Sequence, residues 1–362
     1  MNIRVSTLAV DSRVLLLVMT PPAMLGMSST STLAEGQHLQ GIEGKLWSLD
    51  EFSLLEIKSG GPILQFQETC GKLRCVSFVV FLSIYLMTLV GNLVILTAII
   101  TDARLHTPMY FFLANLSILE MCYTTITLPN ILNNIVIQSN RISFQACICQ
   151  VYLFTLCATV ECILLALMAY DRYVAICIPL RYSVIMNQAM CLQLASTTWI
   201  TGIFNSIIQS LPTSLLPYCG LNKVDRLYCE VQPLLQLSCS DTSLNKMLTT
   251  VSASLFGVGF MTFILVTYIF IISAILRIPS LSGRLKAFST CSSHITVVVM
   301  YYGALIFMYL RPRSSDSQRM DSVISAMYCM VIPVLNPIIY SLRNKDVKRS
   351  IVNFLILKRC LL

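Results

Sequence analysis

The residues of this chain that could do chemistry are two isolated acids, one acid–base pair and a group of cysteines. Asp171-Arg172-Tyr173 sets a carboxylate beside a guanidinium, and Glu120 and Glu161 each stand alone in a long apolar stretch. His294 is the one histidine in such a stretch. Catalysis is a poor match, because the three histidines are widely separated and no nucleophile stands beside a base or a metal-ligand cluster. The chain does not read as an enzyme. These groups make physical sense where an apolar solvent forces every polar atom to find a partner.

The composition supplies that solvent. Of 362 residues, 56% are hydrophobic and 12% charged, with a mean hydropathy of +0.75. A soluble domain carries about 25% charged residues. A helix needs roughly 20 apolar residues to cross a bilayer, and seven windows qualify: 78–100, 109–132, 146–170, 191–216, 247–276, 287–310 and 322–342. Backbone polar groups in hydrocarbon must be satisfied within their own segment, which excludes open strands. The expected fold is an all-α membrane protein, a seven-helix bundle spanning 77–342. Twelve Lys and Arg residues fall on one side of that topology (among them Arg104, Arg181, Arg277, Arg284 and Lys286), against nine on the other. This bias predicts the N-terminus outside and the C-terminus inside. The net charge of +8 then belongs to the inner membrane surface and not to a nucleic-acid footprint.

Residues 1–76 differ in texture, with Pro21-Pro22 and a Ser/Thr run at 28–32, and read as a largely disordered outer tail. Residues 1–45 are expected to be an extension that the mature protein lacks. Residues 343–362 alternate basic Lys345, Lys348 and Arg349 with Val347, Ile351 and Leu355. That pattern suits a short amphipathic helix on anionic membrane lipid.

Depth along the helices assigns roles. Arg172 lies about 37 Å from Cys147 by helical rise, a full crossing, so it stands at the inner mouth. It reads either as a snorkelling helix-end cation or as a switch for a cytoplasmic partner. Glu120 and Glu161 reach mid-membrane, where an ionised carboxylate is expensive. They either share a proton or a small hard cation, with Na⁺ the available one, or serve as two separately protonated acids. Asn336-Pro337 frees a backbone carbonyl near the end of the last span, and Tyr340 follows one turn on. His294 is either a packing histidine or an activation-linked contact.

The outer half of the third span presents Phe154, Thr155, Ala158, Thr159 and Cys162 on one face. Tyr302, Leu305 and Tyr309 continue a similar face on the sixth span, and Ser254, Gly257 and Val258 are the expected contributors from the fifth. None is charged. Such walls suit a small neutral ligand of modest polarity. A transporter would show inverted repeats, and a channel would show several polar rings.

Several strings together resemble the vertebrate odorant receptors of the rhodopsin-like G-protein-coupled class: Gly91-Asn92, Leu105-His106-Thr107-Pro108-Met109-Tyr110, Met168-Ala169-Tyr170-Asp171-Arg172-Tyr173, Lys286-Ala287-Phe288-Ser289-Thr290-Cys291 and Pro333-Val334-Leu335-Asn336-Pro337-Ile338-Ile339-Tyr340. With Glu120 and the long fourth-to-fifth loop, the pattern looks most like the tetrapod-type (class II) branch. The resemblance implies an odorant ligand, a stimulatory G protein of the olfactory type engaged through Asp171, Arg172, Tyr173, Asn336, Pro337 and Tyr340, and a rise in cyclic AMP. It also implies a sodium site among helices 2, 3 and 7, with no other cofactor. Cys147, Cys219, Cys229 and Cys239 allow three pairings, and the resemblance implies Cys147–Cys229 and Cys219–Cys239. The rival reading is a receptor of the same architecture whose ligand is not a volatile odorant. One departure from the family stands out: the sequon Asn115-Leu116-Ser117 lies inside the second span, and the tail has none.

Overall fold

A computed structural model describes residues 51–54, 63–137, 141–219, 223–224, 228–310, 330–340 and 347–352. Helix α1 runs Ile63–Thr101, α2 Pro108–Ile137, α3 Phe144–Cys177 and α4 Gln188–Ser214. Helix α5 spans Ser243–Leu276, α6 Leu281–Leu310 and α7 Met330–Tyr340, and 347–352 form the short α8. Helices α2 and α3 bury most of their apolar length, with 67% of the α3 window inside, whereas α1 and α5 bury 17% and 22% of theirs. Helix α3 is therefore the axis of the bundle. The C-terminal stretch read as an amphipathic helix lies mostly outside the described residues; within α8, Val347 and Ser350 are buried while Lys348 and Arg349 are exposed.

Local chemistry sets the helix ends. Ser143 caps α3 by accepting from Ala146 N–H, and Asn187 caps α4 by accepting from Met190 N–H. Between α1 and α2, Asp102 accepts from the Arg104 backbone and is gripped by its guanidinium at 2.9 and 2.7 Å. Those Arg104 side-chain bonds hold the Asp102 carboxyl down at about 2, so the clasp stays intact above the ordinary carboxylate range and opens only as pH falls toward 2.

Two departures from the sequence reading concern the outer side. Helix α1 begins at Ile63, inside the segment read as a tail. Glu51–Leu54 forms strand β1, the centre of a three-stranded sheet with β2 (Arg141–Ser143) antiparallel and β3 (Lys223–Val224) parallel to it. Three backbone segments that would otherwise meet water or lipid thus satisfy one another. Residues 1–50 lie outside the described residues.

Helix α4 is the most polar of the described long helices, and its polar side chains are placed at one-face spacing. Asn205 Nδ2 donates to Thr159 Oγ1 of α3 at 2.9 Å, and its Oδ1 accepts from Ser252 of α5 at 3.1 Å. One turn on, Gln209 Nε2 donates to the Leu248 carbonyl at 2.9 Å and its Oε1 accepts from Thr249 at 3.0 Å. Another turn on, Asn245 Nδ2 donates to Thr213 Oγ1 at 3.4 Å. Lipid tails are as apolar as leucine, so such bonds and close packing join helices in a bilayer. Gly202 supplies the packing: a Cβ there would come to 2.5 Å from Val160 Cγ2. An interhelical bond of this kind contributes about 0.6 kcal/mol on average and up to about 1.7. Gln209→Ala is expected to lower unfolding free energy by about 1 kcal/mol in detergent, with Thr249→Val adding little on top. Fully additive losses in that double-mutant cycle would show that the two residues are not coupled.

Candidate functional site

The inner mouth is built around the end of α3. Asp171 is almost fully buried and accepts a 2.7 Å hydrogen bond from Tyr182, which sits on a one-turn helix, Tyr182–Ile185, after α3. Arg172 Nε stands 3.8 Å from Asp171 Oδ2, a long ion pair, and makes no hydrogen bond among the described residues. The Tyr340 hydroxyl is also buried without a hydrogen-bond partner there. Tyr173 packs against Phe270 of α5, ring centroids 6.1 Å apart. Close by, His294 of α6 binds Leu165 O of α3 through Nε2 at 3.0 Å and Tyr268 of α5 through Nδ1 at 2.7 Å. A carbonyl only accepts, so Nε2 carries the proton and Nδ1 accepts from the tyrosine. His294 is therefore a fully bonded buried histidine that ties α6 to both neighbours.

Mid-membrane, α7 meets α1 and α2. Pro337 has no N–H for the carbonyl of Pro333, and Asn92 Nδ2 of α1 reaches that carbonyl at 3.5 Å while also donating to Thr88 O. A Cβ on Gly91 would come to 2.9 Å from Pro337 Cβ, so the close approach of α1 and α7 requires glycine. On α2, Glu120 accepts from Asn336 Nδ2. Glu120 Oε2 and Asn336 Oδ1 remain buried without hydrogen-bond partners among the described residues. Glu161 is buried on α3, within electrostatic range of Glu120. The sequence left Glu120 and Glu161 either sharing a proton or cation or standing as two separate acids; Glu120 is hydrogen-bonded to Asn336, which sequence reasoning had placed in the switch. Among the described residues no three His, Cys, Asp or Glu side chains cluster as metal ligands.

In the outer half, Phe154 stacks on Tyr228 of the long loop at 5.1 Å and meets Tyr123 of α2 at 5.2 Å. Thr155 and Ala158 are half-buried, and Thr159 is buried and bonded to Asn205. Cys162 and Tyr301 are 3.1 Å apart, and the Tyr301 hydroxyl donates to Ala158 O at 3.2 Å. Tyr302 is buried with its hydroxyl unpartnered among the described residues, and Leu305 packs on the core. No side chain is described at Tyr309. The α5 set lies differently from its expected face: Ser254 and Val258 are exposed and Gly257 is half-buried with no atom within 4 Å of an added Cβ. Phe256 packs on the core instead, stacked with Phe260. The cause is a π-helical stretch, Ala253–Gly259, which changes the face presented per turn.

The long loop is held by Cys147–Cys229 and Cys219–Cys239, with Cα separations of 5.4 and 5.6 Å. Cys149 is free. The sequon at Asn115 is closed to modification, since its side chain is buried, donates to Phe111 O and accepts from Trp199 Nε1 at 3.1 Å.

The olfactory receptor family model matches residues 81–358. The chain belongs to the olfactory receptor family. The receptor is 48% identical over 280 residues to olfactory receptor 8U9 of Mus musculus, an alignment covering 77% of this chain and 89% of that one. Olfactory receptor 2B2 of Homo sapiens is 48% identical over 273 residues, covering 75% and 76%. A crystal structure of squid rhodopsin superposes with a TM-score of 0.62 at 14% identity, covering 76% of the receptor and 78% of the rhodopsin, which shows the shared seven-helix fold. The receptor is a multi-pass plasma-membrane protein of the G-protein-coupled type and not an enzyme.

Proposed function

We propose that the receptor binds a small neutral, mostly apolar odorant in the outer half of the bundle and activates a stimulatory G protein of the olfactory type, raising cyclic AMP. One observation carries the ligand class: the expected ligand face has no charged residue, and its Phe154 packs with Tyr123 and Tyr228 in an aromatic cluster. An amine or carboxylate would find no counter-ion on that face. The coupling reading is supported by Arg172 and Tyr340, whose Nε and hydroxyl are buried without hydrogen-bond partners among the described residues. A cyclic-AMP screen of neutral and charged volatiles in cells supplied with the olfactory-type G protein tests it. Neutral compounds are expected to dominate the hits; a response confined to amines or carboxylic acids would contradict the ligand class.

Glu120 Oε2 and Asn336 Oδ1 fit a hard cation, being buried acceptors without hydrogen-bond partners among the described residues, with Glu161 near. Bound Na⁺ would offset the carboxylate charge and favour the resting arrangement of α2, α3 and α7. Helices that separate these oxygens weaken the site, so the ion favours the resting state by differential affinity alone. Raising Na⁺ at constant ionic strength is expected to depress agonist-stimulated signalling, and Glu161→Gln is expected to lose that dependence. An identical Na⁺ response in variant and wild type would leave protonated acids as the account. Exposed Lys348 and Arg349 on α8 support contact with anionic inner-leaflet lipid.

A further inference from the structure

The Cys147–Cys229 bond fixes one point of the outer loop but not its roll, because the chain can still turn about the bonds of the bridge. A second contact beside it removes that freedom. Gln150 stands one turn inward of Cys147 on α3 and is buried. Its Oε1 accepts from the Cys229 N–H at 2.8 Å, and its Nε2 donates to the Ile126 carbonyl of α2 at 3.2 Å. One amide thus joins loop, α3 and α2, using its acceptor on the first and its donor on the last. Tyr228 directly precedes Cys229, is only 1% exposed, and stacks on Phe154, one turn inward of Gln150.

We propose that Gln150 is a positioning residue which, together with the disulfide, holds the Tyr228 ring over the outer mouth as the roof of the ligand site, so that this roof limits ligand size. The inference rests on the outer-half binding reading. Two attachments one turn apart define the orientation of the Tyr228–Cys229 backbone, where one attachment defines only its position. An apolar side chain at 150 leaves the Cys229 N–H buried and unpaired, which favours a loop that rolls outward to hydrate it. Rolling carries the neighbouring ring away from Phe154.

Two measurements on the full chain test this. In purified protein with disulfides intact, the Cys229 amide is expected to be protected from hydrogen exchange, and Gln150→Met to accelerate its exchange on the order of tenfold. In cells, responses to the methyl ketones from butanone to tridecanone are expected to stop at a chain length that increases in Gln150→Met and in Tyr228→Ala, with the double variant no different from either. Tyr228→Phe is expected to keep the wild-type limit. A merely structural role for Gln150 would lower responses to all chain lengths alike and leave the limit in place, overturning the proposal. Unchanged Cys229 exchange in Gln150→Met would overturn it too. A wild type that answers no ketone counts against the ligand class, and the exchange experiment then decides the role of Gln150 by itself. If Gln150→Met fails to fold, Tyr228→Ala still decides the roof: an unaltered size limit there overturns it.

Discussion

Arg172→Ala is expected to abolish agonist-driven signalling while leaving surface expression near normal. The reason is the poverty of its resting contacts. Arg172 Nε makes no hydrogen bond among the described residues, and its ion pair with Asp171 is long at 3.8 Å. Asp171 keeps its 2.7 Å bond from Tyr182 when the guanidinium is removed, so its buried carboxylate retains a partner. Folding therefore loses little. What disappears is a cation poised toward the inner end of the central helix, whose Nε, like the Tyr340 hydroxyl, is buried without a hydrogen-bond partner among the described residues. Arg172→Lys keeps the charge but not the planar fork of donors, and is expected to signal weakly. Surface labelling beside a cyclic-AMP dose–response separates the two effects. Full signalling by Arg172→Ala would remove this residue from the switch.

Cys147→Ser and Cys229→Ser are each expected to cause the same large loss of folded receptor, and the double variant to be no worse. The bond closes a segment of 82 residues, and in the chain-entropy picture such a closure stabilises by about 4–5 kcal/mol. Bilayer insertion already restricts the unfolded chain, so the measured loss falls below that figure. Both half-cystines are fully buried, so each single variant also places a hydroxyl beside a free thiol in an apolar site. Cys219–Cys239 spans 20 residues and corresponds to about 3 kcal/mol in the same picture, so Cys239→Ser is expected to be milder. Antibody detection of folded surface receptor, with and without reductant, measures each. Additive losses for Cys147 and Cys229 would contradict the pairing.

The seven-helix plan was legible because apolar length is a strong signal, and because the Asp171-Arg172-Tyr173 and Asn336-Pro337 strings keep their spacing to it. Depth arithmetic placed Arg172 at a helix end and Glu120 within the bundle. Other features lay beyond that reach for identifiable reasons. The start of α1 at Ile63 was hidden because Lys72 and Arg74 end the apolar run, yet a helix continues past its membrane-buried part into water. Strand β1 pairs with two segments distant in sequence, and four residues carry no period of their own. The face of α5 was displaced because regular 3.6-residue spacing fails across Ala253–Gly259. Asn205, Gln209 and Thr213 do repeat at four-residue intervals, a signal for the polar seam that was present in the sequence. Nothing in the sequence marked Tyr182 as the partner of Asp171, or Gln150 as the partner of Cys229, since each contact depends on where a loop folds back.

The central claim is that an odorant held under the Tyr228 roof drives the Arg172 end of the bundle into a stimulatory G protein. Agonist-dependent nucleotide exchange measured on purified olfactory-type stimulatory α-subunit with its βγ partner tests it most directly. The account predicts that a neutral agonist accelerates exchange on that G protein, and that Arg172→Ala binds the same agonist without accelerating it. Acceleration that survives Arg172→Ala, or that occurs only with a G protein of another class, would contradict the account.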